Sequence, residues 1–239
     1  MEKLDDLQFH KFAVYQRTDL YRFTGDAVFL ADFVEVKKND YVVDFGTGCG
    51  IIPILLCAKK ELKRVTGIEI QPEMVELCQK SIAYNHLEDK FEVLNCKIQM
   101  SHKILPKHPD VVVCNPPYRK VTEGETSKAT SNQIAKFEVM IDLSEIVESA
   151  RRNLKVGGRF YMVHRADRFP EIISCLKRND LAPRKIQFVH AKPNSLAHLV
   201  MIEAVSGGNC QVKILPSLVL QNEDGTESDE VVKIYSRGE

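Results

Sequence analysis

The chain has 239 residues, 44% hydrophobic and 28% charged, which excludes a wholly disordered or fibrous protein and fits one α/β domain with extensions. Lysine plus arginine (33) equals aspartate plus glutamate (33), so no global charge points to nucleic acid or a membrane and any such signal must be local. The longest apolar runs, 51–58 and 196–205, fall far short of the roughly eighteen residues a membrane-spanning helix needs.

The N-terminal stretch alternates charged and apolar residues without the apolar core and cleavage site of a secretory signal, so a cytoplasmic location is expected. Seven cysteines, none in a Cys-x-x-Cys pair, read as reduced packing residues, with no ligand spacing for a metal. Residues 1–38 are expected to form a helical extension, with a helix at 24–36 that Thr24 or Asp26 can cap. Lys38-Asn39-Asp40 turns the chain into 41–45 (YVVDF), apolar enough for a strand buried on both faces. The cluster Gly46-Thr47-Gly48-Cys49-Gly50 leads to a helix at 51–60, with Pro53 tolerable in its first turn. A strand at 65–70 and a helix at 72–85, with Met74, Val75, Cys78 and Ile82 on one face, establish β-α-β alternation.

Further strands are expected at 91–94, 110–114 and 159–163, and helices at 142–153 and 169–179. Asp142 and Glu145 have the spacing of a capping box. Two strands, 184–189 and 198–204, then come in succession. The fold class is therefore α/β, a seven-stranded, mostly parallel, doubly wound sheet with a late antiparallel hairpin strand. Residues 39–205 form the domain; 206–239, with a weak pattern at 212–220, an Asp224-Gly225 turn and a short segment at 231–235, form a peripheral extension packed on it.

A nicotinamide-binding turn reads G-x-G-x-x-G, whereas this chain reads Asp44-Phe45-Gly46-Thr47-Gly48-Cys49-Gly50, with the third glycine one residue early and an acid in the strand end. Such glycines let backbone pass close under a ligand. Glu69, 23 positions after Gly46 at the tip of the next strand, can accept both hydroxyls of a ribose. The Asp44 carboxylate favours a cationic ligand over a pyrophosphate, so S-adenosylmethionine fits better than a dinucleotide.

Residues 110–114 run directly into Asn115-Pro116-Pro117-Tyr118. Two prolines cannot continue a central strand, so the chain leaves the sheet at its C-terminal edge, where α/β sheets bind ligands. The Asn115 amide oxygen and the Pro116 carbonyl then provide two acceptors, with the Tyr118 ring beside them, a set suited to a planar group bearing NH₂. Two acceptors on the amino N–H bonds favour pyramidal nitrogen and stabilise the charge that develops when it attacks a sulfonium methyl. No metal, shifted general base or covalent intermediate is required.

Residues 42–50 (VVDFGTGCG), 67–70 (GIEI) and 115–118 (NPPY) resemble the motifs of class I S-adenosylmethionine-dependent amino-methyltransferases. More narrowly, through 26–31, 163–165, 168–169, 185–190, 214–216 and 224–225, nearly the whole chain is similar to bacterial tRNA adenine N6-methyltransferases that modify adenine 37 of tRNA-Val. The resemblance implies a Rossmann-like fold, S-adenosylmethionine as cofactor, tRNA as partner, and a monomer or homodimer. It implies cofactor contacts from Asp44, Phe45, Gly46, Thr47, Gly48, Gly50, Glu69, Ile70 and Asn115, and catalysis by Asn115, Pro116, Pro117 and Tyr118. Cys96 and Lys97 stand where relatives usually carry an acidic residue near the cofactor's adenine, and are counted as cofactor contacts; Lys136-Phe137 replaces an Arg-His pair. NPPY is shared with enzymes that methylate protein glutamine, DNA and rRNA, so those substrates, and a non-catalytic RNA-binding module, are the alternatives.

From 151 to 192 there are eleven basic residues against three acids, a local net of +8 that suggests a phosphate-contacting face. The candidate substrate contacts are Arg119, His164, Arg165, Arg168, His190 and Lys192. Residues 119–137 have the composition of a mobile loop near a substrate opening.

Overall fold

Apolar, β-branched runs with almost no polar interruption build the centre of the molecule. The structure, a computed structural model, describes residues 2–9, 11–18, 20, 24–117, 142–208 and 211–236. The central sheet contains β3 (Tyr41–Phe45), β4 (Arg64–Glu69), β5 (Phe91–Asn95), β6 (Val111–Cys114), β7 (Arg159–Arg165), β8 (Leu181–His190) and β9 (Ala197–Ser206). Between them run helices α2 (Ile51–Lys59), α3 (Pro72–Tyr84), α4 (Leu143–Asn153) and α5 (Phe169–Arg178).

The strand order is β8-β9-β7-β6-β3-β4-β5. Pairing is parallel except where β9 inserts antiparallel between β7 and β8, which gives the expected late hairpin. Two short strands, β10 (Lys213–Ile214) and β11 (Leu218–Val219), add parallel pairs to β8, and α6 (Asp229–Ser236) ends the described chain. The segment at 231–235 is thus helical, with Val231 and Ile234 buried.

Because both faces of the sheet are covered, strand residues alternate between two cores rather than between core and water. Val42, Val111 and Val113 belong to the core on one side, Val43, Val112 and Cys114 to that on the other. The order reverses at β3, which has β4 on one side and β6 on the other. A crevice forms at such a switch point outside the carboxyl ends of the strands.

Residues 1–38 are not the expected helical extension. β1 (Glu2–Phe9) and β2 (Phe12–Arg17) form an antiparallel hairpin, and only then comes α1 (Gly25–Phe33). The alternation of charged and apolar residues that argued against a secretory signal is the two-residue period of a half-buried strand. Leu7, Phe9 and Val14 join the core beside α1 and α2.

The capping box forms at the start of α4. Asp142 Oδ1 accepts from the Glu145 amide at 2.9 Å, and Glu145 Oε2 accepts from the Asp142 amide at 3.0 Å. Asp142→Ala is expected to cost about 1 kcal/mol, seen as a lower urea midpoint with an unchanged slope; an unchanged midpoint would mean that water replaces the cap at no loss.

Candidate active site

The turn after β3 is a backbone problem before it is a binding site. Gly46, Gly48 and Gly50 take φ of +69°, +56° and +88°, conformations that side chains disfavour. Their reasons differ. A Cβ on Gly46 would meet nothing within 4 Å, because that face opens on a cavity, whereas one on Gly50 would meet Cys78 Sγ at 2.8 Å and Phe91 Cε1 at 3.0 Å.

The turn is held from β4. The Gly46 and Thr47 amides donate to the Ile68 carbonyl at 2.9 and 3.1 Å. The Glu69 carboxylate accepts from the Gly48 amide through Oε2 at 2.9 Å, and from the Ile70 and Gln71 amides through Oε1 at 2.9 and 3.0 Å. Burial pushes its pKa up while those amides pull it back. A carboxylate offers about four acceptor positions, so Glu69 retains room for one ribose hydroxyl on Oε2 rather than for two.

A cavity of about 470 Å³ opens at this edge. Asp44, Phe45, Gly46, Thr47, Gly48, Glu69, Ile70, Cys96, Lys97, Asn115, Pro116 and Pro117 all line it, so sequence positions 44 to 117 converge on one space. Gly50 does not line it; it is a packing residue beneath the turn, against Cys78 and Phe91. Tyr118 and Arg119 lie outside the described residues, as do the proposed loop at 119–137 and the pair Lys136-Phe137.

Lining residues that sequence reasoning missed include Gln71 and Met74 at the start of α3, Ile98 and Gln99, and Leu20 and Ala27 from the N-terminal segment. Gln71 follows Glu69 so closely that its position was readable, and Ala27 belongs to a stretch already singled out. Leu20 carried no signal.

Asp44 is only 1% exposed, and neither carboxylate oxygen has a hydrogen-bond partner among the described residues. Burial, opposed by the Thr47 hydroxyl and reinforced by the Glu69 charge, pushes its pKa up to about 7. An orphaned buried carboxylate facing a cavity calls for a positively charged or hydrogen-bond-donating ligand. The residues present therefore fit S-adenosylmethionine: Asp44 offers a carboxylate to a positive group, Glu69 an acceptor to a hydroxyl, and Ile70, Ile98 and Met74 apolar surface. Burial pushes the neighbouring Cys49 thiol up to about 12 and raises Cys114 as well, which keeps both as thiols rather than thiolates near pH 7.

The profile of the methyltransferase small domain family matches residues 24–178. The chain belongs to this family. This methyltransferase is 27% identical over 195 residues, 81% of each chain, to the tRNA1(Val) (adenine(37)-N6)-methyltransferase of Phocaeicola vulgatus. It is 22% identical over 205 residues, 86% of each chain, to the protein of the same name from Flavobacteriaceae bacterium (strain 3519-10). Among solved structures, a predicted O-methyltransferase, protein Atu636 from Agrobacterium tumefaciens, superposes with a TM-score of 0.70 at 19% identity, over 89% of this chain and 96% of that one, and shares its fold.

The expected phosphate-binding side chains fare differently from the pocket. His164 is buried, 2% exposed, and its Nδ1 accepts from the Arg165 amide at 2.8 Å. Burial, then the Arg168 charge, pulls its pKa down to about 4, so it is neutral near pH 7 and does not reach a phosphate. Arg165 pairs with Asp167 at 2.5 Å and Arg168 with Glu171 at 2.5 Å. His190 contacts the Ser195 carbonyl through Nδ1 at 2.7 Å, and Lys192 is exposed in the loop that Ser195 closes.

Of the eleven basic residues counted along 151–192, eight are paired with acids, several from outside that stretch, including Asp40, Asp110 and Glu203. The linear net of +8 is therefore largely offset by acids outside that stretch. Among the described residues, no group of three or more His, Cys, Asp or Glu is placed to hold a metal, and no helix is long and apolar enough to cross a membrane.

Asp44 makes the pocket pH-sensitive. Its raised pKa leaves it largely protonated at pH 6 and ionised at pH 8. A cationic ligand binds the ionised form, so S-adenosylmethionine affinity is expected to rise by about tenfold over that interval. Titration calorimetry tests this: Asp44→Asn should flatten the profile, and a flat wild-type profile would remove Asp44 as the partner of the positive end.

Proposed function

We propose that this methyltransferase methylates N6 of an adenine in tRNA, adenine 37 of tRNA-Val being the first position to test, with S-adenosylmethionine as methyl donor. The observation that carries the reading is that Asn115, Pro116 and Pro117 line the same cavity as Asp44 and Glu69, so an amino-group receptor and a cofactor receptor share one space. The names of the relatives support the choice of tRNA and of the position. A tRNA substrate implies a cytoplasmic enzyme.

S-adenosylmethionine, when bound, supplies a methyl group on a positively charged sulfur. Asp44 and Glu69 orient it, and the glycine turn lets backbone approach it closely. The Asn115 amide oxygen and the Pro116 carbonyl accept the two N–H bonds of the target amino group, hold its lone pair toward the methyl, and stabilise the charge that develops on nitrogen. Pro117 stiffens the turn, and in this reading Tyr118 stacks on the base. In this reading residues 39–205 carry the catalytic domain and 206–239 are a peripheral extension, from which β10 and β11 pair with β8.

For the RNA, we assign Lys192, His190, Arg165 and Arg168 as phosphate contacts. β6, β7 and β8 run in the same direction, so these residues follow strand ends at the same edge of the sheet as Asn115. Arg165 and Arg168 would exchange their carboxylate partners for phosphate. The pairing of the basic stretch also favours a second reading, N5-methylation of a protein glutamine through the same turn.

The deciding experiment is transfer of labelled methyl from S-adenosylmethionine to unmodified tRNA, with DNA and a protein extract in parallel, followed by nucleoside analysis. Label in N6-methyladenosine is the expected result; label in protein alone would move the assignment to glutamine. Asn115→Ala is expected to lower turnover by at least about a hundredfold with little change in cofactor affinity. Equal loss of both would contradict its role at the amino group.

A further inference from the structure

Three helices of the described chain end on an asparagine whose side-chain Nδ2 donates to the carbonyl four residues back. Asn85 bonds Ser81 O at 2.6 Å, Asn153 bonds Ser149 O at 2.7 Å, and Asn179 bonds Cys175 O at 2.9 Å. Asn85 alone among them also grips a strand. Its Oδ1 accepts from the Ala13 amide at 3.0 Å, and its Nδ2 donates to the Ala13 carbonyl at 2.7 Å. One turn earlier on α3, Ser81 Oγ accepts from the Tyr15 amide at 2.9 Å while donating to the Leu77 carbonyl at 2.9 Å.

The geometry explains why a helix can take the place of a third strand. Positions i and i+4 on a helix are separated by about 6 Å along its axis, and positions i and i+2 on a strand by about 6.8 Å. Ser81 and Asn85 therefore meet Tyr15 and Ala13 rung for rung. Of the outer edge of β2, which would otherwise present unpaired backbone groups, the Ala13 amide and carbonyl and the Tyr15 amide are bonded by two side chains. Its other edge is taken by β1.

Both bodies joined in this way end at the cavity. α3 begins with the lining residues Glu73 and Met74, just after Gln71, and the chain that continues from β2 supplies Leu20 and Ala27. We infer that Ser81 and Asn85 are positioning residues of the cofactor pocket: by clamping β2 to α3 they fix the wall carrying Leu20 and Ala27 against the wall carrying Gln71 and Met74. The inference rests on reading the cavity as the S-adenosylmethionine pocket.

The test measures S-adenosylmethionine binding by calorimetry, a readout that needs no acceptor, and then the KM for S-adenosylmethionine and kcat with unmodified tRNA. Asn85→Ala and Ser81→Ala are expected to weaken binding and raise KM by about five- to tenfold, the scale of one or two lost hydrogen bonds, with kcat at saturating cofactor unchanged. Asn85→Asp, which keeps the acceptor for the Ala13 amide and loses the donor, should fall between. Asn179→Ala removes the matching bond from α5, away from the pocket, and should leave binding and KM as in the wild type.

Unchanged cofactor affinity in Asn85→Ala, or an equal loss in Asn179→Ala, overturns the inference. Should Asn85→Ala fail to fold, Ser81→Ala and Asn85→Asp make the same comparison. A wild-type protein that does not bind S-adenosylmethionine refutes the reading of the cavity, and the inference with it, before any variant is measured.

Discussion

Everything at the ligand-binding edge depends on one carboxylate. The chain must leave β3 through a turn with three left-handed glycines and still satisfy its amides, and Glu69 meets part of that demand by bonding Gly48 across the turn and Ile70 and Gln71 beside itself. The same carboxylate joins the end of β4 to the turn that follows β3 and to the start of α3. A glutamine here would keep the shape but could not accept from all three amides, since only one of its two terminal atoms is an acceptor. The acid that looks like a ribose ligand is thus first a structural brace, and any ligand it takes is added to bonds already made.

Asp44 is the opposite case. It sits one strand over, equally buried, and among the described residues neither oxygen makes a close hydrogen bond, the Thr47 hydroxyl only partly offsetting its burial. Burying a carboxylate without a partner is costly, and the protein lowers that cost by letting the pKa rise to about 7. The empty protein therefore gains stability as pH falls below 7, where the folded state holds a proton that the unfolded state has released, and a cationic ligand recovers the lost stability above it. Two acids within one cavity have been given different tasks by their hydrogen bonds.

The elements legible in the sequence were those whose local pattern and tertiary setting agree. YVVDF, the run at 110–114 and the box Asp142 to Glu145 formed as read, because a strand buried on both faces and a capped helix each leave an unambiguous pattern. The hairpin β1–β2 was missed because its alternation carries charges at Lys3, Asp5 and Asp6 and its partner is a helix; Asn85 and Ser81, which complete its edge, stand some seventy residues away. Gly50 was assigned to the cofactor because three glycines in one turn look alike on paper. Only the third dimension separates a glycine that faces a ligand from one that makes room for Phe91.

The charge count failed for a related reason. Counting along 151–192 assumes that neighbours in sequence share a surface, but this stretch contains a helix end, a central strand, a second helix and the whole of β8, and its cations reach acids in other elements. Arg159 is nearly enclosed and pairs with Asp40, so its charge ties the start of β7 to the turn before β3 rather than to any partner outside. Lys177, Arg178 and Lys192 have no acidic partner among the described residues, and of these only Lys192 follows a strand at the edge of the sheet that carries Asn115. A polyanion held mainly by exchanging existing carboxylate partners gains less per contact than one meeting unpaired lysines. In the function proposed for this chain, recognition of the acceptor therefore rests more on the shape and hydrogen bonding of the turn at Asn115 than on bulk charge, which is consistent with a chain of zero net charge.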